Sequence, residues 1–227
     1  MDDLKYIDLE FHLIRSLSGK IDLLHSTREQ EHLVGIALQE ALGENMFSPL
    51  RSDFEREETR IQFITDFLSY GIITEVLCDV HVEDIIINNL KPIYIHHADL
   101  GFVSTGKRFS TQKEVNLFVK KLILFSGKTA SGKIINLELP NLEGRVNIAY
   151  SPFGPQITIT KAKVTPLSVI DLIRGGSMTY DVAAQLWMYI EGMSIRPANI
   201  MIAGGPGVGK TTLLNALFSF IPDSDRM

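Results

Sequence analysis

The sequence predicts an α+β protein, a helical layer plus a small mixed sheet, joined to the opening strand and helix of an α/β domain. Three observations carry this. Apolar residues recur at helical spacing through the first 80 residues; from about 81 to 163 short β-prone runs outnumber helices; and an apolar run near 199 leads through four glycines into a helix. The expected divisions are a helical region (1–80), a mixed α+β region (81–163) and a hinge, helices and strand-helix unit (164–227).

In the first region the helical spacing runs through Leu33, Ile36, Ala37 and Leu42, and again through Ile61, Ile64, Phe67 and Leu68. Between them the segment 45–52, with Pro49, reads as a loop. The alternation Ile7, Leu9, Phe11, Leu13 leaves strand and helix both open. In the second region strands are expected at 84–88, 92–97 and 102–109, with a turn at Asp99-Leu100-Gly101. A helix at 112–125 follows, opened by the capping pair Thr111 and Glu114. Further strands at 134–139, 145–150 and 156–160 are separated by Pro140, Gly144, Pro152, Gly154 and Pro155. In the third region Thr165-Pro166 reads as a helix start, and the helix through Val169, Ile170 and Ile173 stops at Gly175-Gly176. A second helix, 179–191, presents Val182, Leu186, Trp187 and Ile190 on one side, with Trp187 and Met188 read as core packing.

At 227 residues the chain has room for one large or two small domains, and no run approaches the 18 or so apolar residues of a membrane span. Met1 to Lys5 lack the layout of a signal peptide, and Cys78 is the single cysteine, so a reducing cytoplasm is expected. Residues 1–60 hold 13 acidic and 7 basic residues against 14 and 15 in the remainder, which concentrates the acidity at the N-terminus. A duplex nucleic-acid binder would instead show a basic face. The acidic segment reads either as a surface for a basic partner or as a solvated helical face.

The run Gly204-Gly205-Pro206-Gly207-Val208-Gly209-Lys210-Thr211 fits GxxxxGK[ST] in full, and Thr212 follows it into the helix. Glycine permits positive φ and close approach, so that successive N–H groups converge on anionic oxygens. The helix expected from Lys210 to Phe220 adds unpaired N–H groups and about half a unit of positive charge at its start. Lys210 brings a mobile full charge, and the Thr211 hydroxyl suits Mg²⁺ beside the phosphates of ATP. A second run, Gly127 to Lys133, has the glycine and lysine spacing but places Ile134 where the hydroxyl belongs, with helix before it and strand after; it is read as a polar loop. Cys78 and His81 lack a third metal ligand close by, and His96 and His97, adjacent on a strand, point to opposite faces.

The ordered series Val82-Glu83-Asp84-Ile85-Ile86-Ile87-Asn88, Leu139 to Asn147, Ile157 to Lys161, Thr165 to Ile173 and Ile200 to Leu217 resembles the type II and type IV secretion ATPase superfamily over about 145 residues. The helical extension and Leu213-Leu214-Asn215-Ala216-Leu217 are most similar to its archaeal branch, the archaellum motor ATPase first and an archaeal type IV pilus-assembly ATPase second. The resemblance implies a RecA-like domain, a homo-hexameric ring at the cytoplasmic face of the membrane, ATP turnover as a motor, and force passed to a membrane platform protein. It also implies a catalytic role for Arg145, matching a family arginine that reaches toward the nucleotide phosphates; the alternative is a pair with Glu143. Where relatives have Ile-Arg-Lys this chain has Ile159-Thr160-Lys161, which leaves Lys161 or Arg174 as substitutes.

After the P-loop only residues 212–227 remain, whereas phosphate hydrolysis in such folds draws on acidic residues from later strands. The parent protein is therefore expected to be the ATPase, and residues 1–227 alone to be inactive and not hexameric. Two other classes fit the loop: a different P-loop machine such as an AAA+ remodeller, and a non-enzymatic docking or assembly module.

Overall fold

The computed structural model describes residues 3–21, 25–128, 132–139, 144–161, 166–205 and 207–222. The chain divides into two compact units, Met1–Ala162 and Lys163–Met227.

In the first unit the open question at the N-terminus resolves to a helix, α1 (Asp3–Leu17), because Leu9, Leu13 and Leu17 recur every fourth residue and are all fully buried. It is followed by α2 (Thr27–Gly43), α3 (Glu57–Leu68) and the short α4 (Thr74–Cys78). A capping box starts α2: the Ser26 hydroxyl accepts from the Glu29 amide at 3.4 Å while the Glu29 carboxylate accepts from the Ser26 amide at 2.7 Å. These bonds hold the Glu29 carboxyl below the usual carboxylate range. The segment expected as a loop at 45–52 is instead largely a 3₁₀ helix, Asn45–Leu50. Its Phe47 and Leu50 are buried, and Arg51 donates to the terminal carbonyls of α2 at Leu42 and Gly43.

The sheet contains β1 (Val82–Asn88), β2 (Tyr94–His97), β3 (Gly101–Ser104), β4 (Ile134–Leu139), β5 (Gly144–Ser151) and β6 (Gly154–Lys161). Helix α5 (Gln112–Phe125) intervenes between β3 and β4, with Thr111 and Glu114 capping it as expected. The strand order is β3-β2-β1-β6-β5-β4, and every pairing is antiparallel. The expected mixed sheet is thus corrected: two three-stranded meanders join through β1 and β6, and no crossover places two paired strands in the same direction. Alternation gives each strand one apolar face, where Ile85, Ile87, Leu137, Val146, Ile148 and Ile159 are buried. They belong to the same core as α1, α2 and α5, so residues of the helical and mixed regions share one apolar interior.

Two close approaches fix the β5–β6 turn. Gly154 has φ +106°, and a Cβ there would lie 2.5 Å from the Asn89 side chain, which itself donates to the Phe153 carbonyl.

The second unit contains α6 (Val169–Arg174), α7 (Tyr180–Glu191) and α8 (Lys210–Leu217), followed by a 3₁₀ turn at Phe218–Phe220. Its small core is Val169, Leu172, Ala183, Ala216 and Leu217. Helix α6 starts from a capping box on Ser168 and Asp171, downstream of the Thr165-Pro166 signal; Thr165 lies outside the described residues. Trp187, expected in the core, is instead 51 % exposed, and Met188 is also exposed; the residues of α7 that pack on the small core are Ala183, Leu186 and Ile190.

Candidate functional site

The P-loop sits in the second unit. Residues 199–205 approach it without regular structure, so the strand expected at Asn199–Ala203 is corrected: a strand is defined by hydrogen bonds to a neighbour, and the described residues of this unit supply no neighbouring strand. The helix after the loop begins at Lys210, as the motif requires.

The glycines divide the work. Gly207 has φ +75° and Gly209 φ +84°, both in the left-handed region that favours glycine, and Gly209 is the N-cap of α8. Gly204 does not have positive φ; its constraint is space, because a Cβ there would meet Val208 Cγ2 at 3.0 Å. Gly205 has neither a positive φ nor a crowded Cβ position, and Pro206 lies outside the described residues.

No side chain caps α8, which leaves its first-turn N–H groups directed at the loop without a side-chain acceptor. Lys210 bends back so that Nζ donates to the Gly205 carbonyl. Val208 and Thr211 are exposed and Thr212 is half-buried. The result is a concentration of positive potential: a helix N-terminus, a left-handed glycine turn and an ammonium group. Such a surface can take an anion with several oxygens, and the exposed Thr211 hydroxyl can ligate a hard cation bound to it.

Arg145 belongs to the first unit. On β5 it points to the open, polar face of the sheet, opposite Glu138 of β4 and Thr160 of β6. Among the described residues its guanidinium makes no hydrogen bond or ion pair, and Glu143, the alternative partner, lies outside them. Thr160 is engaged elsewhere, its hydroxyl donating to Asp84 at 2.7 Å. Lys161 cannot replace the absent arginine on Arg145's face: alternation turns it the other way, where Nζ donates to the Asp79 carbonyl at 2.6 Å. Arg174 lies in the last turn of α6, in the second unit.

His96 pairs with Glu83 at 3.0 Å, whereas His97 stacks on His81 with ring centroids 5.5 Å apart, so the adjacent histidines do face opposite ways. No group of three His, Cys, Asp or Glu among the described residues is arranged to hold a metal ion. No single described helix is long and apolar enough to cross a membrane.

Sequence reasoning missed one buried ionic contact. Lys121 of α5 reaches Glu10 of α1 at 3.6 Å, donates to the Asp66 carbonyl at 3.2 Å and lies over the Phe67 ring. Burial lowers the Lys121 pKa and raises that of Glu10, with their mutual attraction opposing both shifts. A lysine at a core position of α5's amphipathic pattern was the available signal.

No family model matches this chain. In sequence it is 32% identical over 163 residues to MJ0781, an uncharacterised protein of Methanocaldococcus jannaschii, across 69% of this chain and 22% of that protein. It is 29% identical over 143 residues to a probable conjugal transfer protein, TrbB, of Sinorhizobium fredii, across 62% of this chain and 43% of that protein. The VirB11 ATPase of the Brucella suis type IV secretion system overlaps 64% of this chain and 50% of its own at a TM-score of 0.37 and 19% identity, too loose a superposition to establish a common fold. The chain spans about a fifth of MJ0781 and under half of TrbB. The archaellum branch is a finer distinction than these relatives reach.

Proposed function

We propose that the chain is the nucleotide-binding N-terminal portion of a secretion-type ATPase, taking ATP on residues Gly204 to Thr212 with Mg²⁺ at Thr211. The observation that carries this is the conjunction at one point of left-handed Gly207 and Gly209, the uncapped start of α8 and the Lys210 ammonium. In this reading the β- and γ-phosphates displace the Gly205 carbonyl as the partner of Lys210, and first-turn N–H groups of α8 donate to the phosphate oxygens. Thr211, exposed beside Lys210, supplies an oxygen ligand to the metal.

Within a polypeptide of the relatives' length, the proposed activity is ATP turnover by a homo-hexamer at the cytoplasmic membrane face, working on a platform protein of an archaellum or type IV pilus-like machine. Arg145 is assigned to the charge that develops on the transferred phosphoryl group, a role suited to its planar, permanently charged fork. Its exposed position, unpaired among the described residues, leaves it available for that contact.

The test is phosphate release by the full-length parent and its Lys210→Ala variant, with circular dichroism melts of both. Turnover is expected to vanish without a change in melting; retained turnover would remove the P-loop assignment.

A further inference from the structure

At the end of the α1–α5 pair the first unit holds an open groove of about 400 Å³, lined by Ile14, Arg15, Lys120, Ile123, Leu124 and Lys128, with Ser18, Gly19 and Gly127 at its rim. The pairs Asp8–Lys113 and Glu10–Lys121 advance together along both helices, so α1 and α5 run in the same direction and both end at this groove. Ile14 and Leu124 form a buried floor, and Ile123 is half-buried. The cations stand exposed around it, and among the described residues no acidic side chain lines it.

Arg15, Lys120 and Lys128 converge on one apolar groove of a chain whose formal charge is −5, and none of the three makes a side-chain hydrogen bond or ion pair among the described residues. Two helix C-termini favour nearby cations, but that field extends only about one turn and asks for no apolar cavity. A hydrophobic floor with convergent cations at the mouth matches a ligand with an anionic head and an apolar arm, and the volume falls in the range of small-molecule sites, about 300–1,000 Å³.

We propose that this groove binds a soluble anionic amphiphile, its phosphate or carboxylate head held by Arg15, Lys120 and Lys128 and its apolar arm lying on Ile14, Ile123 and Leu124. Concavity favours a discrete molecule over a bilayer, which is flat on this scale. The site is independent of the P-loop, which lies in the other unit.

Calorimetric titration of the 227-residue chain with octyl phosphate tests it, alongside inorganic phosphate, neutral octyl glucoside and anionic phospholipid vesicles. Octyl phosphate is expected to bind saturably, one per chain, about tenfold or more tighter than either half-ligand, because head and arm contribute together. Lys120→Gln combined with Lys128→Gln should weaken it by about tenfold while leaving the thermal midpoint unchanged, and the Ile14, Ile123 and Leu124 methyl resonances should shift on binding. Octyl phosphate binding no tighter than inorganic phosphate, or equally well to the double variant, would overturn the proposal. Sedimentation with vesicles in the absence of octyl phosphate binding would also overturn it, by making the patch a bilayer contact.

Discussion

Lys210 and Arg145 sit in different units, and the roles proposed for them predict separable effects. If Lys210 contacts ground-state phosphate as proposed, its loss should weaken nucleotide binding itself. Arg145→Ala in the full-length parent should instead lower kcat by about 10²-fold or more while leaving nucleotide affinity within a few-fold, the pattern of a contact that strengthens as charge develops. Normal kcat in a correctly assembled variant would return Arg145 to a structural role. The Glu10–Lys121 pair makes a stability prediction. Glu10→Met with Lys121→Met should come close to wild type, because burial disfavours both charges and offsets their attraction. The pH dependence has a definite sign. The Glu10 carboxyl is raised in the folded state, so its contribution to stability is fullest below the ordinary carboxylate value and falls as pH rises through the raised value. Melting curves of wild type and Glu10→Gln from pH 4 to 8 should therefore differ in slope; parallel curves would show that Glu10 titrates as in the unfolded chain.

At the scale of elements, patterns of local origin were legible and those of tertiary origin were not. The bounds of α5 and β4 followed from a cap and from strict alternation, both written in adjacent residues. The 3₁₀ helix at Asn45–Leu50 was hidden because Pro49 reads as a breaker until Phe47 and Leu50 are known to be buried. The run Asn199–Ala203 shows the converse: its apolar character is strand-like, but pairing depends on residues elsewhere in a chain. The P-loop glycines read as equivalent in sequence and are not, since only Gly207 and Gly209 have positive φ. Gly209→Ala should consequently weaken nucleotide binding and fray α8, while Gly205→Ala should leave helix and melting unaffected and act only on phosphate approach. Gly154→Ala tests the sheet. It combines a φ of +106° with a Cβ 2.5 Å from Asn89, and a loss of about 2–3 kcal/mol is expected from denaturant unfolding.

For the molecule as a whole, the N-terminal acidity does not mark a detachable tail. Leu9, Leu13 and Leu17 are buried in the core shared with the sheet, so deletion of residues 1–25 should unfold the first unit rather than simply abolish docking. A truncated protein with an unaltered melt would contradict this packing. The second unit differs in kind, with a small core and several exposed apolar side chains, including Trp187, Met201 and Phe218. Preorganisation of the loop by so small a core is accordingly expected to be incomplete, giving weak but specific nucleotide binding.

The central claim is that Gly204 to Thr212 form a phosphate site, and it is tested most directly by titrating the 227-residue chain with a fluorescent ATP analogue in the presence of Mg²⁺. The expected result is saturable binding that unlabelled ATP displaces and that Lys210→Ala weakens by about tenfold or more at an unchanged thermal midpoint. Equal affinity in wild type and variant would contradict the assignment, whatever the loop's sequence.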